Sequence, residues 1–164
     1  MGKTKIRLRH KLQMKWLVLI VFMHCEIALA STYKVCSTCE HSSISTAIAF
    51  AAPGDTIYVG VYKEGEIIVD KALTIIGVDQ PIIDAVFKSG AVSILSDSVT
   101  LQGFVIQNIG LSYTNDYAAI YLSKVNHFVL KDNVLKKVFF GMLVEKSHYG
   151  IIENNIITGE IKEE

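Results

Sequence analysis

Four stretches of this chain align without gaps: LTIIG at 73–77, VTLQG at 99–103, FVLKD at 128–132 and GIIEN at 150–154. Their first column holds Leu73, Val99, Phe128 and Gly150, their third Ile75, Leu101, Leu130 and Ile152, and their fifth Gly77, Gly103, Asp132 and Asn154. Side chains alternate along a strand, so columns one and three share a face, and the large apolar third column puts that face inside. Column five falls where the chain must bend, which Gly, Asp and Asn tolerate best. The offsets are 26, 29 and 22 residues. A 22-residue turn that returns the same column inward each time is the pattern of a parallel β-helix coil.

The 29-residue interval reads as 22 plus an insertion, supplied by the polar LSYTNDY at 111–117, and VDQP at 78–81 with its neighbours absorbs the extra residues of the first interval. Each aligned stretch is followed by a second short strand, seen in FVIQN, NVLKK and NIITG. Asn133 and Asn155 stand one coil apart, where they are either the rungs of an amide ladder or two ordinary turn residues. Upstream, Ser42 to Ala52 places Ile44, Ala47, Ile48 and Ala51 at helical spacing, with Ser42 or Ser43 as N-cap and Pro53-Gly54 ending the run. A stacked solenoid exposes apolar side chains and strand edges at its ends, so this helix is expected to be the N-terminal cap. The chain stops at the acidic GEIKEE with no comparable cap, so either the acidic tail blunts that edge, or a partner covers it, or the chain is the first part of a longer protein.

The chain begins with six basic residues and one apolar run, WLVLIVFM at 16–23, followed by Ala28-Leu29-Ala30. This predicts a cleavable secretory signal over 1–30, because a membrane-spanning helix needs about 18 or more apolar residues. The remainder carries 10 basic and 15 acidic side chains, which argues against a nucleic-acid partner. Export also removes Cys25 and leaves Cys36 and Cys39, for which a disulfide is the simplest reading outside the cytosol. The organisation expected is a signal over 1–30, a C-x-x-C segment and capping helix over 31–55, and coils over 56–164.

The stretches VCSTC, SISTAIAFAAPGDTIYV, Gly60-Val61-Tyr62-Lys63-Glu64 as G-x-Y-x-E, KALTIIGVDQPIID and GFVIQNIGLSYTNDYAAIYL together resemble the N-terminal part of the NosD proteins. These are exported factors for maturation of nitrous oxide reductase. The resemblance runs from about Lys34 to Gly159. It implies an all-β, right-handed parallel β-helix of about four coils in the periplasm, working with an ABC transporter and nitrous oxide reductase on a copper-sulfur centre. It carries over no ligand set. PGDTI and G-x-Y-x-E are shared by many right-handed β-helices, carbohydrate-active ones included, and so specify the fold more than the function.

Copper takes thiolate, thioether or imidazole ligands. Cys36, Cys39 and His41 offer such atoms within six residues, so the segment is either a staple or, reduced, a Cu(I) site. His127 and His148 fall near one bend on successive coils, and Met142 reads as core. Glycoside chemistry would need clustered carboxylates, and Asp132 with Glu153 is the pair worth measuring. The loop residues Tyr113, Asn115, Asp116 and Tyr117 offer aromatic and amide groups to a sugar or a partner. The function expected is therefore a non-enzymatic assembly factor, with a carbohydrate-binding or carbohydrate-cleaving module as the alternative and a surface solenoid as a third.

Overall fold

The computed structural model describes residues 29–60, 63–112 and 114–159. Nearly all of the expected signal segment, the Val61-Tyr62 step of G-x-Y-x-E, Tyr113 and most of the acidic tail lie outside them. The described chain is mostly β, with one short helix and three sheets in which every strand pairing is parallel. Strands are numbered along the chain. The first sheet holds β1 (Thr32–Val35), β2 (Thr56–Val59), β5 (Thr74–Gly77), β8 (Thr100–Gln102), β11 (Val129–Lys131) and β14 (Ile151–Glu153), in that order. The second holds β3 (Lys63–Glu64), β6 (Ile82–Asp84), β9 (Val105–Gln107), β12 (Val134–Val138) and β15 (Ile156–Gly159). The third holds β4 (Ile67–Val69), β7 (Val92–Ile94), β10 (Ala118–Ser123) and β13 (Phe140–Glu145). From β2 onward each strand pairs with the strand three further on, a topology compatible with a parallel β-helix.

The aligned columns are the ladder of the first sheet. Ile75 registers with Leu101, Leu101 with Leu130 and Leu130 with Ile152. The second sheet stacks Ile83, Ile106, Leu135 and Ile157, and the third stacks Ile67, Val92, Ile120 and Met142. These inward columns make one continuous core with full exclusion of water in the middle layers. β1 was not expected: TYKV is a single short run with no repeated counterpart, yet it pairs with β2 from Thr32 to Val35.

The spacings between sheets show where the repeat stretches. Thr74 to Ile82 takes eight residues where Thr100 to Val105 takes five, so VDQP carries three extra residues. Ile82 to Val92 takes ten residues where Val134 to Met142 takes eight, which puts two more at 85–91, and Val92 to Thr100, at eight, is one shorter than Ile120 to Val129, at nine. Val105 to Ile120 takes fifteen residues where Val134 to Met142 takes eight. The difference is the length of LSYTNDY, and it places that loop between the second and third sheets.

The bends use the left-handed region. Gly103 has φ +82°, and Asp132 and Asn154 below it in the same column have +54° and +55°. Gly77 and Gly103 also pass so close that a Cβ on either would lie 2.6 Å from the other's carbonyl oxygen. Asn133 and Asn155 do form a ladder: Asn133 Nδ2 donates to Leu101 O and to Asn155 Oδ1, both at 3.0 Å, while Asn133 Oδ1 accepts from Phe104 N at 3.1 Å.

The helix, α1, spans Ile44–Phe50, shorter than the 42–52 expected because Ser43 is the N-cap and Ala51 is already extended at ψ 145° ahead of Pro53. It buries Ile44, Ala47 and Ile48 against β1, β2 and β4 and so closes one end of the stack. Distant side chains finish both its termini. Glu64 accepts from the N–H groups of Ile44 (2.6 Å) and Ser45 (3.2 Å), and Lys71 Nζ donates to the carbonyls of Ile48, Ala49 and Ala51 at 2.8–3.0 Å. Buried Asp55 of PGDTI binds Ala52 N–H and Ser31 N–H. Asp55 of PGDTI and Glu64 of G-x-Y-x-E thus act here as fasteners of the cap.

Candidate functional site

A groove of about 490 Å³ lies on the outer face of the third sheet. Alternation decides which side chains reach it. Ser93 stands between buried Val92 and Ile94, Tyr121 stands between buried Ile120 and Leu122, and the two are register partners. Tyr121 donates its phenolic hydrogen to Glu145 Oε2 at 2.8 Å, across to the next strand of the sheet. Glu66, just ahead of β4, adds a second carboxylate to the lining.

The insertion forms the groove's wall with Thr114, Asn115, Asp116 and Tyr117. Its shape comes from short local bonds: Ser112 Oγ accepts from Thr114 N–H (3.2 Å) and Asn115 N–H (2.8 Å). Tyr117 packs its ring against the core while its hydroxyl accepts from Asn115 Nδ2 at 3.4 Å. At the loop's base Gly110 donates to Ser89 O at 2.9 Å, which ties the insertion to the 85–91 loop beneath it. Of the loop residues singled out in the sequence, Asn115, Asp116 and Tyr117 line the groove and Tyr113 lies outside the described residues. Sequence reasoning missed Tyr121, Glu145, Ser93 and Glu66. The repeat offset applied to outward positions of AIYLS and MLVEK was the signal that could have found them.

Cys36 and Cys39 are joined by a disulfide. His41 is 6% exposed, its ring 5.4 Å from those of Tyr33 and Phe50. In this form the thiolates needed for Cu(I) are absent, since each sulfur is bonded to the other, and the imidazole is part of an aromatic cluster under the cap. Among the described residues no group of three or more His, Cys, Asp or Glu side chains converges on one point.

His127 and His148 do lie on one bend, one residue out of step: His127 stacks on Tyr149 at 5.2 Å, and His148 bridges to Asn126. Met142 packs against the core as read. Asp132 and Glu153 meet through the backbone, Asp132 N–H donating to Glu153 O at 3.2 Å, but their carboxylates take different partners. Glu153 pairs with Lys131 at 2.8 Å and Asp132 accepts from Gln102 at 3.1 Å, because Glu153 registers with residue 131.

The most perturbed carboxylate is Asp84, which is 3% exposed. Burial pushes its carboxyl up, but hydrogen bonds from Gln107, Lys63, Val86 N–H and Asn108 outweigh that and hold it well below the usual carboxylate range. Lys63 Nζ sits 3.0 Å away. Its oxygens are fully engaged within the second sheet and the adjoining bend, so Asp84 is a structural anchor.

Comparison with protein-family models, with curated proteins and with solved structures finds no match. The class of site is therefore defined by its own chemistry. It is a groove with two tyrosines, an amide, hydroxyls and three carboxylates, which suits hydrogen bonding and ring stacking to a polar ligand.

Proposed function

We propose that this chain is an exported binding module, non-enzymatic, built on a right-handed parallel β-helix of about four coils, and that carbohydrate is its ligand class. The cyclic order of parallel strands supports the coil reading, and the hand follows the general preference of parallel crossovers. The observation that carries the function is the groove over the third sheet: the longest departure from the repeat is spent on a wall that faces Tyr121 and Glu145. Electrophoresis of the purified protein through gels containing soluble polysaccharides tests it. Retardation in at least one gel is expected, and unchanged mobility in all of them removes the reading.

A second reading, maturation of nitrous oxide reductase beside an ABC transporter, is supported by the NosD resemblance and by the apolar side chains Ile152 and Ile157 exposed at the far end of the stack, a surface suited to a partner protein. Any direct copper role runs through the dithiol form of Cys36 and Cys39 with His41. Metal analysis of the reduced protein after copper loading is expected to find bound copper on that reading, and absence of copper leaves only a scaffold role. Both readings place the protein outside the cytosol with Ser31 as its first residue, which N-terminal sequencing of exported material checks.

A further inference from the structure

We infer that the groove over the third sheet takes a neutral oligosaccharide and rejects polyuronates, an inference that rests on the binding-module reading above. The charge of the lining decides the class. Glu66, Asp116 and Glu145 all contribute carboxylates, and the lining includes no Lys, Arg or His. A uronate chain would bring its own carboxylates beside these with no cation to pair them, and like charges in one groove repel. Phosphorylated ligands, nucleotides included, meet the same obstacle.

The hydrogen-bonding inventory points the same way. Tyr121 gives its proton to Glu145, so the phenol oxygen and the carboxylate both face a ligand as acceptors. Asn115, Thr114 and Ser93 add groups that both donate and accept. Vicinal sugar hydroxyls are donors and acceptors at close spacing and match this set. Tyr121 and Tyr117 both line the groove, and a tyrosine suits the C–H face of a pyranose with low side-chain entropy to lose. The wall is fixed before binding, by the Ser112 bonds and by Tyr117 packed on the core.

The test is affinity electrophoresis of the full chain in gels of neutral glucan and galactomannan, in gels of polygalacturonate, and with chitosan oligomers as cationic competitors. Retardation by a neutral polymer is expected, weakened about tenfold by Tyr121→Ala, the ratio that ~1.4 kcal/mol produces. Asn115→Ala should weaken it too, and Lys131→Ala, on the first sheet, should leave it unchanged. Far-UV circular dichroism of each variant separates lost binding from lost fold. Retardation by polygalacturonate alone, or binding of chitosan alone, overturns the ligand class while the binding-module reading stands. Neutral-glycan binding that survives both Tyr121→Ala and Asn115→Ala overturns the groove as its site. Failure of every glycan overturns this inference and the module reading together.

Discussion

Asn133 is fully buried, and its side-chain amide meets three partners, Phe104 N–H, Leu101 O and Asn155 Oδ1, of which the first two would otherwise be stranded. Replacing it with Ala leaves the Leu101 carbonyl and the Phe104 N–H without partners inside the core, which costs about 3 kcal/mol. Asn155→Ala removes the same kind of rung at a partly exposed position, where water substitutes, and should cost roughly 1 kcal/mol. Urea midpoints of the two variants check the order, and equal losses would show that burial does not set the cost. Asp84 makes a different demand, on pH. Its folded-state carboxyl titrates below the ordinary aspartate value of about 3.9, so the unfolded chain binds more protons and stability rises with pH through that range. The stabilisation is fully present above about pH 4 and is lost as pH falls toward and through the folded value. Asp84→Asn should therefore lie well below the wild type in urea midpoint at neutral pH, with the gap closing below about pH 4. A gap that does not change with pH would mean the carboxylate's charge is not what the four donors stabilise.

At the scale of elements, α1 has too few residues to be stable alone, and its existence depends on what holds its ends. Glu64 and Lys71 do this from β3 and from the segment between β4 and β5, on opposite termini and with charges suited to each end of the helix dipole. Glu64→Ala and Lys71→Ala should each cost about 1–2 kcal/mol. Their first effect should be local: amide exchange over 44–50 accelerates while 92–107 stays protected, and equal acceleration of both segments would show that the cap has no separate stability. Neither fastener was legible in the sequence, because a contact across twenty residues leaves no local pattern. The repeat was legible because a core column imposes apolar residues at the same step of every cycle, as Ile75, Leu101 and Leu130 do. The insertion was legible as a break in that spacing. β1 was not, since TYKV occurs once; Tyr121 and Glu145 could be placed by the repeat offset, but an outward polar position is under no packing constraint, so nothing singled them out. The staple and the metal site could not be separated from C-x-x-C spacing alone, which serves both.

Over the whole molecule the two ends of the stack differ. Leu130 and Leu135 are fully buried, whereas their register partners in the last described layer, Ile152 and Ile157, are 50% and 52% exposed, and Val144 is 39% exposed above buried Leu122. Side chains with core identity in a layer that no described residue covers, beside the free edges of β13, β14 and β15, form a surface that gains by association. The opposite end is closed by α1, so among the described residues the adhesive surface exists once. A single self-complementary face joins two copies about a two-fold axis and then has nothing left to offer, whereas fibres need two different complementary faces. The chain as given should therefore run as a concentration-dependent pair in sedimentation velocity. Ile152→Lys combined with Ile157→Lys should return it to a single copy with its circular dichroism unchanged. Filaments, or a pair that persists in the double variant, would place the contact elsewhere. The groove over the third sheet opens on the outer face of that sheet, not on the end face, so association through the end leaves Tyr121 accessible, and glycan binding should be the same for the pair and for the double variant.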